Sequence, residues 1–177
     1  MKESRMTTVI VGTNRPGSMS EVVAKQFLRE FEMAGGKGQL LALKDLPRDF
    51  AFADMFGDRT EEMQVIIDKY IVSAERLVFV IPEYNGGFPG VLKTFVDAVP
   101  QATWRDKKAS MIGVSSGPTG ASRAMDQFTN VLHYVKVHVH YLKPKLSNIS
   151  ALVEGECVTE KRAESLIKDL ALEMVSF

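Results

Sequence analysis

Three stretches of this sequence gather hydroxyls, glycines and one charged fork just ahead of helix-like runs: GTNRPGSMS at residues 12–20, PEYNGGFPG at 82–90 and SSGPTGAS at 115–122. The first offers the hydroxyls of Thr13, Ser18 and Ser20 and the guanidinium of Arg15. The helix that follows Ser18, opening with Met19 and Ser20, adds unpaired N–H groups and the positive end of its dipole. That is the chemistry of a phosphate cradle. The residue types separate kinds of phosphate. A triphosphate loop needs GxxxxGK followed by Ser or Thr, whereas here Ser18 and Met19 follow Gly17. The dinucleotide fingerprint GxGxxG fails as well, because Asn14 stands at its second glycine. A phosphate monoester fits the set better. Ser18 and Ser20 would also cap an ordinary helix, so this loop alone leaves both readings open.

The second stretch narrows the choice. Pro82 with Gly86 and Gly87 permits a tight path whose main-chain N–H and C=O groups face outward. Such a ribbon hydrogen-bonds the edge of a planar heterocycle, and Tyr84 can pack on its surface. Glu83 is an acid or base by type, but a Glu in a polar loop is ordinarily solvated or paired, and no catalytic role is assigned to it.

The elements that must carry these loops alternate along the chain. TTVIVG, RLVFVIP and ASMIGVSS read as strands buried on both faces, QLLAL as another, and VHVHYL as a weaker fifth. Between them lie amphipathic runs. The first has Ser18 and Glu21 at capping-box spacing and Val23, Phe27 and Phe31 on one face. Pro89 suits the first turn of another, since its missing N–H is not needed there. Five strand–helix units in alternation predict a single α/β domain over residues 1–177, a parallel sheet with helices on both faces. In such a sheet ligands bind beyond the carboxyl ends of the strands, where the three loops lie.

Two stretches fit this plan less well. RDFAFADMFGDR, residues 48–59, carries Phe50, Phe52, Met55 and Phe56 in a connection, as a loop tucked onto the core, a subunit contact or a site wall. Residues 143–158 are long for a connection and are expected to add a turn or cover the sheet edge.

Composition excludes several classes. The 22 basic and 22 acidic residues cancel, so nothing points to nucleic acid or an anionic membrane. Cys157 is the only cysteine, which rules out an internal disulfide, and its acidic neighbours disfavour a reactive thiolate. His138 and His140 are expected on one side of a strand with no carboxylate or cysteine to complete a metal site. No apolar run is long enough for a signal peptide or a membrane span, which predicts a cytoplasmic protein.

The combination of motifs resembles the NADPH-dependent FMN reductase family, which includes chromate, quinone and azo-dye reductases. Its first loop, Gly-Ser/Thr-x-Arg-x-x-Ser, is matched by Gly12, Thr13, Arg15 and Ser18. Its longer signature, PEYNxxxPGxLKxxxD, is matched by Pro82, Glu83, Tyr84, Asn85, Pro89, Gly90, Leu92, Lys93 and Asp97. The resemblance covers residues 7–142. It implies a flavodoxin-like three-layer α/β/α sandwich with a five-stranded parallel sheet of order 2-1-3-4-5. It also implies FMN as cofactor and NADPH or NADH as co-substrate. Residues 13–20, including Thr13, Asn14, Arg15, Ser18, Met19 and Ser20, would hold the phosphate. Pro82, Glu83, Tyr84, Asn85 and Gly86 would line the ring edge, and Ser115, Ser116 and Gly117 would approach from the fourth strand. A homodimer or homotetramer is implied too, which gives the Phe-rich stretch and an exposed Trp104 a role.

Departures from the pattern fall near the ring: Gly87 and Phe88, Thr94 and Phe95, and Ala98 stand where other residue types are frequent. They leave the acceptor open among quinones, free flavins, azo compounds and metal oxyanions. The implied activity is hydride transfer from NAD(P)H to FMN and electron transfer onward to a small molecule. An electron carrier or flavin-binding regulatory protein is the alternative. A carrier usually shows a strongly acidic face, and zero net charge counts against it.

Overall fold

The computed structural model describes residues 6–56 and 59–177. Six strands form the main sheet: β1 (Met6–Val11), β2 (Lys37–Ala42), β3 (Arg76–Pro82), β4 (Lys108–Val114), β5 (His138–Val139) and β6 (Lys145–Leu146). The order is β2-β1-β3-β4-β5, and every pairing is parallel. The expected flavodoxin-like order is therefore the observed one.

The fifth strand departs in detail. β5 pairs with β4 only at Lys108 and Ala109, and β6 resumes on β4 at Gly113 and Val114. Between them the chain swings out, and Pro144 has no N–H to give a ladder. The expectation that His138 and His140 share a face fails for this reason. His138 is exposed, while His140 lies past the end of β5 and is buried against the rings of Tyr141 and Phe177.

Alternation along the strands sends side chains to two opposite cores. Val9, Val11, Val78, Val80, Ile112 and Val114 meet Phe27 and Phe31 of α1 (Met19–Met33) and Ile167 and Leu170 of α7 (Lys161–Ser176). Ile10, Phe79, Ile81 and Met111 meet the opposite layer. It is made of α3 (Glu61–Ile67), α4 (Gly90–Ala98) and α6 (Ser122–Tyr134), through Met63, Phe95 and Phe128. Each such side chain taken fully from water contributes about 1.5–3 kcal/mol. Every residue of β3 is buried, as expected for the central strand of a doubly covered sheet.

The helix starts follow local chemistry. The Ser18 side chain accepts from Glu21 N–H, Thr60 does the same for Met63, and Glu160 accepts from Arg162 and Ala163. After Ile67 the α3 helix widens into a π turn, Asp68–Val72, and Thr8 Oγ1 donates to its Tyr70 carbonyl at 2.6 Å.

The Phe-rich stretch forms a short helix, α2 (Phe50–Ala53), with Phe50 buried and Phe52 and Phe56 pointing to solvent; Gly57 and Asp58 lie outside the described residues. Trp104, expected at the surface, is fully buried on α5 (Gln101–Trp104). Its indole N–H donates to the Val96 carbonyl at 3.3 Å, which satisfies its polar edge inside the core. Residues 143–158 supply β6, a 3-10 turn and a hairpin of β7 (Val153–Glu154) and β8 (Cys157–Val158). Val158 is tied to Gln26 of α1 by two hydrogen bonds. Among the described residues no helix is long and apolar enough to cross a membrane. No group of three or more His, Cys, Asp or Glu among them could hold a metal ion.

Candidate functional site

At the carboxyl ends of β1, β3 and β4 the three loops close on one cleft of about 300 Å³. β1 and β3 are neighbours from which the chain runs to opposite edges, which makes this the switch point of the sheet. The cleft wall includes Arg15, Ser18, Met19 and Ser20 from the first loop, Pro82, Glu83 and Tyr84 from the second, and Ser115 and Ser116 from the third. Nine residues singled out from the sequence, by type and spacing or by the family resemblance, thus meet on one surface.

Glycine permits the path of the first loop. Gly12 leaves β1 with its N–H on the Val80 carbonyl at 2.9 Å, so close that a Cβ there would lie 3.0 Å from that oxygen. Gly17 takes a left-handed φ of 64° and turns the chain into Ser18, the cap of α1. The first N–H groups of α1, at Met19 and Ser20, have no intrahelical acceptor and open at the cleft. Glu21 in that first turn is bound to Lys44 at 2.7 Å and Lys25 at 3.0 Å. Hydrogen bonds from Lys44 and then Lys25 hold its carboxyl below the usual carboxylate range. The acid in the first turn of the cradle's helix is thereby paired with two lysines.

The second loop is a two-residue hairpin. Tyr84 N–H donates to the Gly87 carbonyl at 2.9 Å, and Gly87 N–H returns to Tyr84 at 3.0 Å. Asn85 and Gly86 at its tip have φ of 51° and 80°, the pairing that Asn-Gly favours in a type I′ turn. The Tyr84 hydroxyl lies 2.9 Å from Thr13 Oγ1, which also accepts from Arg15 N–H at 3.2 Å. Thr13 is buried and serves as the pin between the first and second loops. Glu83 carries one oxygen on Arg123 at 3.2 Å, and its other oxygen, Oε2, is buried with no hydrogen-bond partner among the described residues.

Five of the residues singled out from sequence stand off the cleft wall, the buried pin Thr13 among them. Asn14 is exposed, Asn85 and Gly86 form the hairpin tip, and the Gly117 carbonyl accepts from Ser115 Oγ in its own loop at 2.8 Å and from Asn148 N–H of the late segment at 3.0 Å. Val114, Ile149 and Ser150 line the cleft without having been picked out. Ile149 N–H donates to Ser115 and the Ser147 hydroxyl to Pro118, and these bonds dock the late segment on the third loop. LSNIS alone signals only a turn; nothing local tells where it docks.

A second, larger groove of about 740 Å³ runs between α4 and α6 beside Phe56. Its wall is mostly apolar, and Lys93 and Asp97 on it are paired at 2.6 Å. The smaller cleft gathers hydroxyls, an arginine and helix N–H groups, and chemistry rather than volume makes it the candidate site. Those donors suit a phosphate monoester, and the unsatisfied Glu83 oxygen suits a ligand with an N–H to give.

Comparison with known proteins agrees in outline. The sequence profile of the family described as NADPH-dependent FMN reductase matches residues 6–149. An NADH:(hydroxy)cinnamate reductase subunit of Vibrio ruber is 28% identical over 125 residues, 70% of this chain and 60% of the relative. This chain therefore spans less than two thirds of that protein. A 2-hydroxy-1,4-benzoquinone reductase of a Burkholderia species is 28% identical over 167 residues, covering 86% of this chain and 85% of its own. The structure of the flavoenzyme NAD(P)H:(acceptor) oxidoreductase of Paracoccus denitrificans superposes with a TM-score of 0.79. It covers 97% of this chain and 96% of its own at 24% identity, a likeness of fold.

Proposed function

Since the chain belongs to the NADPH-dependent FMN reductase family, we propose that it is an NAD(P)H-dependent oxidoreductase whose FMN sits in the cleft formed by the three loops. The observation that carries this reading is the convergence of Arg15, Ser18, Ser20, Pro82, Tyr84 and Ser115 on one wall at the sheet switch point. Arg15, Ser18, Ser20 and Tyr84 would hold FMN there, and the cofactor would supply hydride acceptance from NADPH or NADH and electron delivery to a small-molecule acceptor such as a quinone.

The chain's own residues bind and orient. Arg15, the hydroxyls of Ser18 and Ser20 and the opening N–H groups of α1 hold the phosphate by charge-assisted hydrogen bonds. Pro82, Glu83 and Tyr84 border the ring edge, and Thr13 keeps Tyr84 upright through its hydroxyl. Asn85 and Gly86 shape that ribbon from the hairpin tip, while Asn14 and Gly117 shape the flanking loops. Met19, Ser115, Ser116, Ile149 and Ser150 close the remaining walls and reduce water access. Residues 1–177 act as one unit in this reading, in the cytoplasm, where pyridine nucleotides are regenerated. Self-association as a homodimer or homotetramer belongs to the same proposal, supported by Phe52, Phe56 and Tyr134, which are 94%, 85% and 78% exposed.

The test is NAD(P)H oxidation by the FMN-reconstituted protein, with a quinone present and then absent. Turnover that requires FMN and rises with quinone is expected. FMN that binds but is not reduced by either nucleotide would move the protein to the electron-carrier or regulatory class. Failure to bind FMN would remove the cleft assignment altogether.

A further inference from the structure

Two side chains one turn apart on α6 grip the PEYNGG hairpin from outside it. Arg123 Nη1 donates to Glu83 Oε1 at 3.2 Å, and Gln127 Nε2 donates to the Gly86 carbonyl at 3.2 Å. Residues four apart share a helix face, so the two bonds act together on the two ends of the hairpin. Gln127 reaches Gly86 across a position with no side chain: a Cβ on Gly87 would stand 3.0 Å from Gln127 Oε1. The departure at Gly87 noted in the sequence is the space that this grip uses. Neither Arg123 nor Gln127 lines the cleft.

The Arg123–Glu83 pair is lopsided. The arginine side chain is 65% exposed and the glutamate 12% exposed. An ion pair exposed at both ends contributes little. Here the carboxylate is the sheltered partner, and its Oε2 has no hydrogen bond among the described residues. Removal of the guanidinium would leave a poorly hydrated negative charge on the cleft wall. Such a charge disfavours any ligand state that gains electrons beside it.

We propose that Arg123 and Gln127 are positioning residues of the site: Arg123 sets how strongly it favours reduced over oxidised FMN by neutralising Glu83, and Gln127 supports the affinity for both forms by holding the hairpin tip at Gly86. The inference rests on the FMN reading above and extends it to two residues outside the cleft.

The experiment uses the full chain with FMN as probe. Affinity for oxidised FMN is read by fluorescence quenching, and the two-electron midpoint potential of the bound cofactor by equilibration with reference dyes. Arg123→Gln is expected to weaken reduced relative to oxidised FMN about tenfold, which for a two-electron couple is about 30 mV more negative. The double variant Glu83→Gln/Arg123→Gln is expected back within about threefold of the parent, because the charge that Arg123 offsets is gone. Arg123→Lys keeps the charge and retains most of the effect. Gln127→Ala is expected to weaken both forms several-fold, the size of one hydrogen bond. An unmoved potential in Arg123→Gln, or a double variant shifted as far as the single one, would overturn the assignment of Arg123. Parental affinity in Gln127→Ala would overturn that of Gln127. If the unmodified protein binds no FMN, the cofactor reading falls and takes this inference with it; binding with unmoved potentials defeats this inference alone.

Discussion

The guanidinium of Arg15 stands on the cleft wall with Ser18 and Ser20, and its charge matters only to a ligand that carries one. Arg15→Ala is therefore expected to weaken FMN by roughly 10–100-fold, the range of a charge-assisted hydrogen bond, and riboflavin far less. Calorimetric titration of both ligands checks this, and equal losses would count against the phosphate assignment. Gly113, at the end of β4, is held by a harder constraint. A Cβ there would fall 2.1 Å from the Gly120 carbonyl oxygen and 2.8 Å from Met125 Cε. The methionine can move; the backbone carbonyl cannot without shifting the third loop. Gly113→Ala should cost about 1–3 kcal/mol by urea denaturation and weaken FMN as well. Unchanged stability would mean that the close approach is relieved at no cost.

At the scale of elements, the hairpin at residues 84–87 is specified by two positions with positive φ. Asn tolerates the left-handed region; Leu does so at a cost of about 1–2 kcal/mol. Asn85→Leu is expected to loosen the ribbon and weaken FMN and riboflavin alike, while Asn85→Gly keeps both. Full affinity for both ligands in the Leu variant would remove the hairpin from the site. The start of α7 gives a prediction in pH. Backbone N–H groups of Ala163 and Arg162 hold the Glu160 carboxyl below the usual carboxylate range. A depressed folded-state pKa contributes stability that is fully present above the unfolded value and lost as pH falls through the folded one. Denaturant midpoints of the parent and Glu160→Ala should therefore differ at pH 7 and converge as pH falls below the usual carboxylate range and through the depressed folded value. A gap that stays constant across that window would show that the carboxylate charge plays no part in the cap.

Over the whole molecule, two apolar cores hold the sheet, and two exposed aromatics share one groove. Phe56 and Tyr134 border the groove between α4 and α6. Phe56→Asp is expected to shift sedimentation toward the monomer, and an unaltered distribution would exclude this face from self-association. Fold and site were legible to different depths. The β3 loop was readable because a tight turn of Asn and Gly, a Pro at the start of α4 and a long signature all sit within one short run. The first loop was readable because Ser18 caps α1 whatever lies around it. Ile149 and Ser150 were not, since their place on the wall comes from hydrogen bonds to Ser115 and Gly117 made by a distant turn.

By itself the sequence determined the alternation of strand and helix, the cap at Ser18, a tight turn after β3 and most of the residues that meet at the switch point, because each is written in spacings of a few residues. Only tertiary structure decided the rest. It buried Trp104 by turning α5 beneath α4, where Val96 accepts its N–H. It split the fifth strand around Tyr141–Pro144, which separated His138 from His140. It also set Arg123 and Gln127 against the hairpin. The physical reason is common to all: local signals act through neighbours along the chain, whereas burial, charge pairing and the closing of a cleft depend on which remote segments dock.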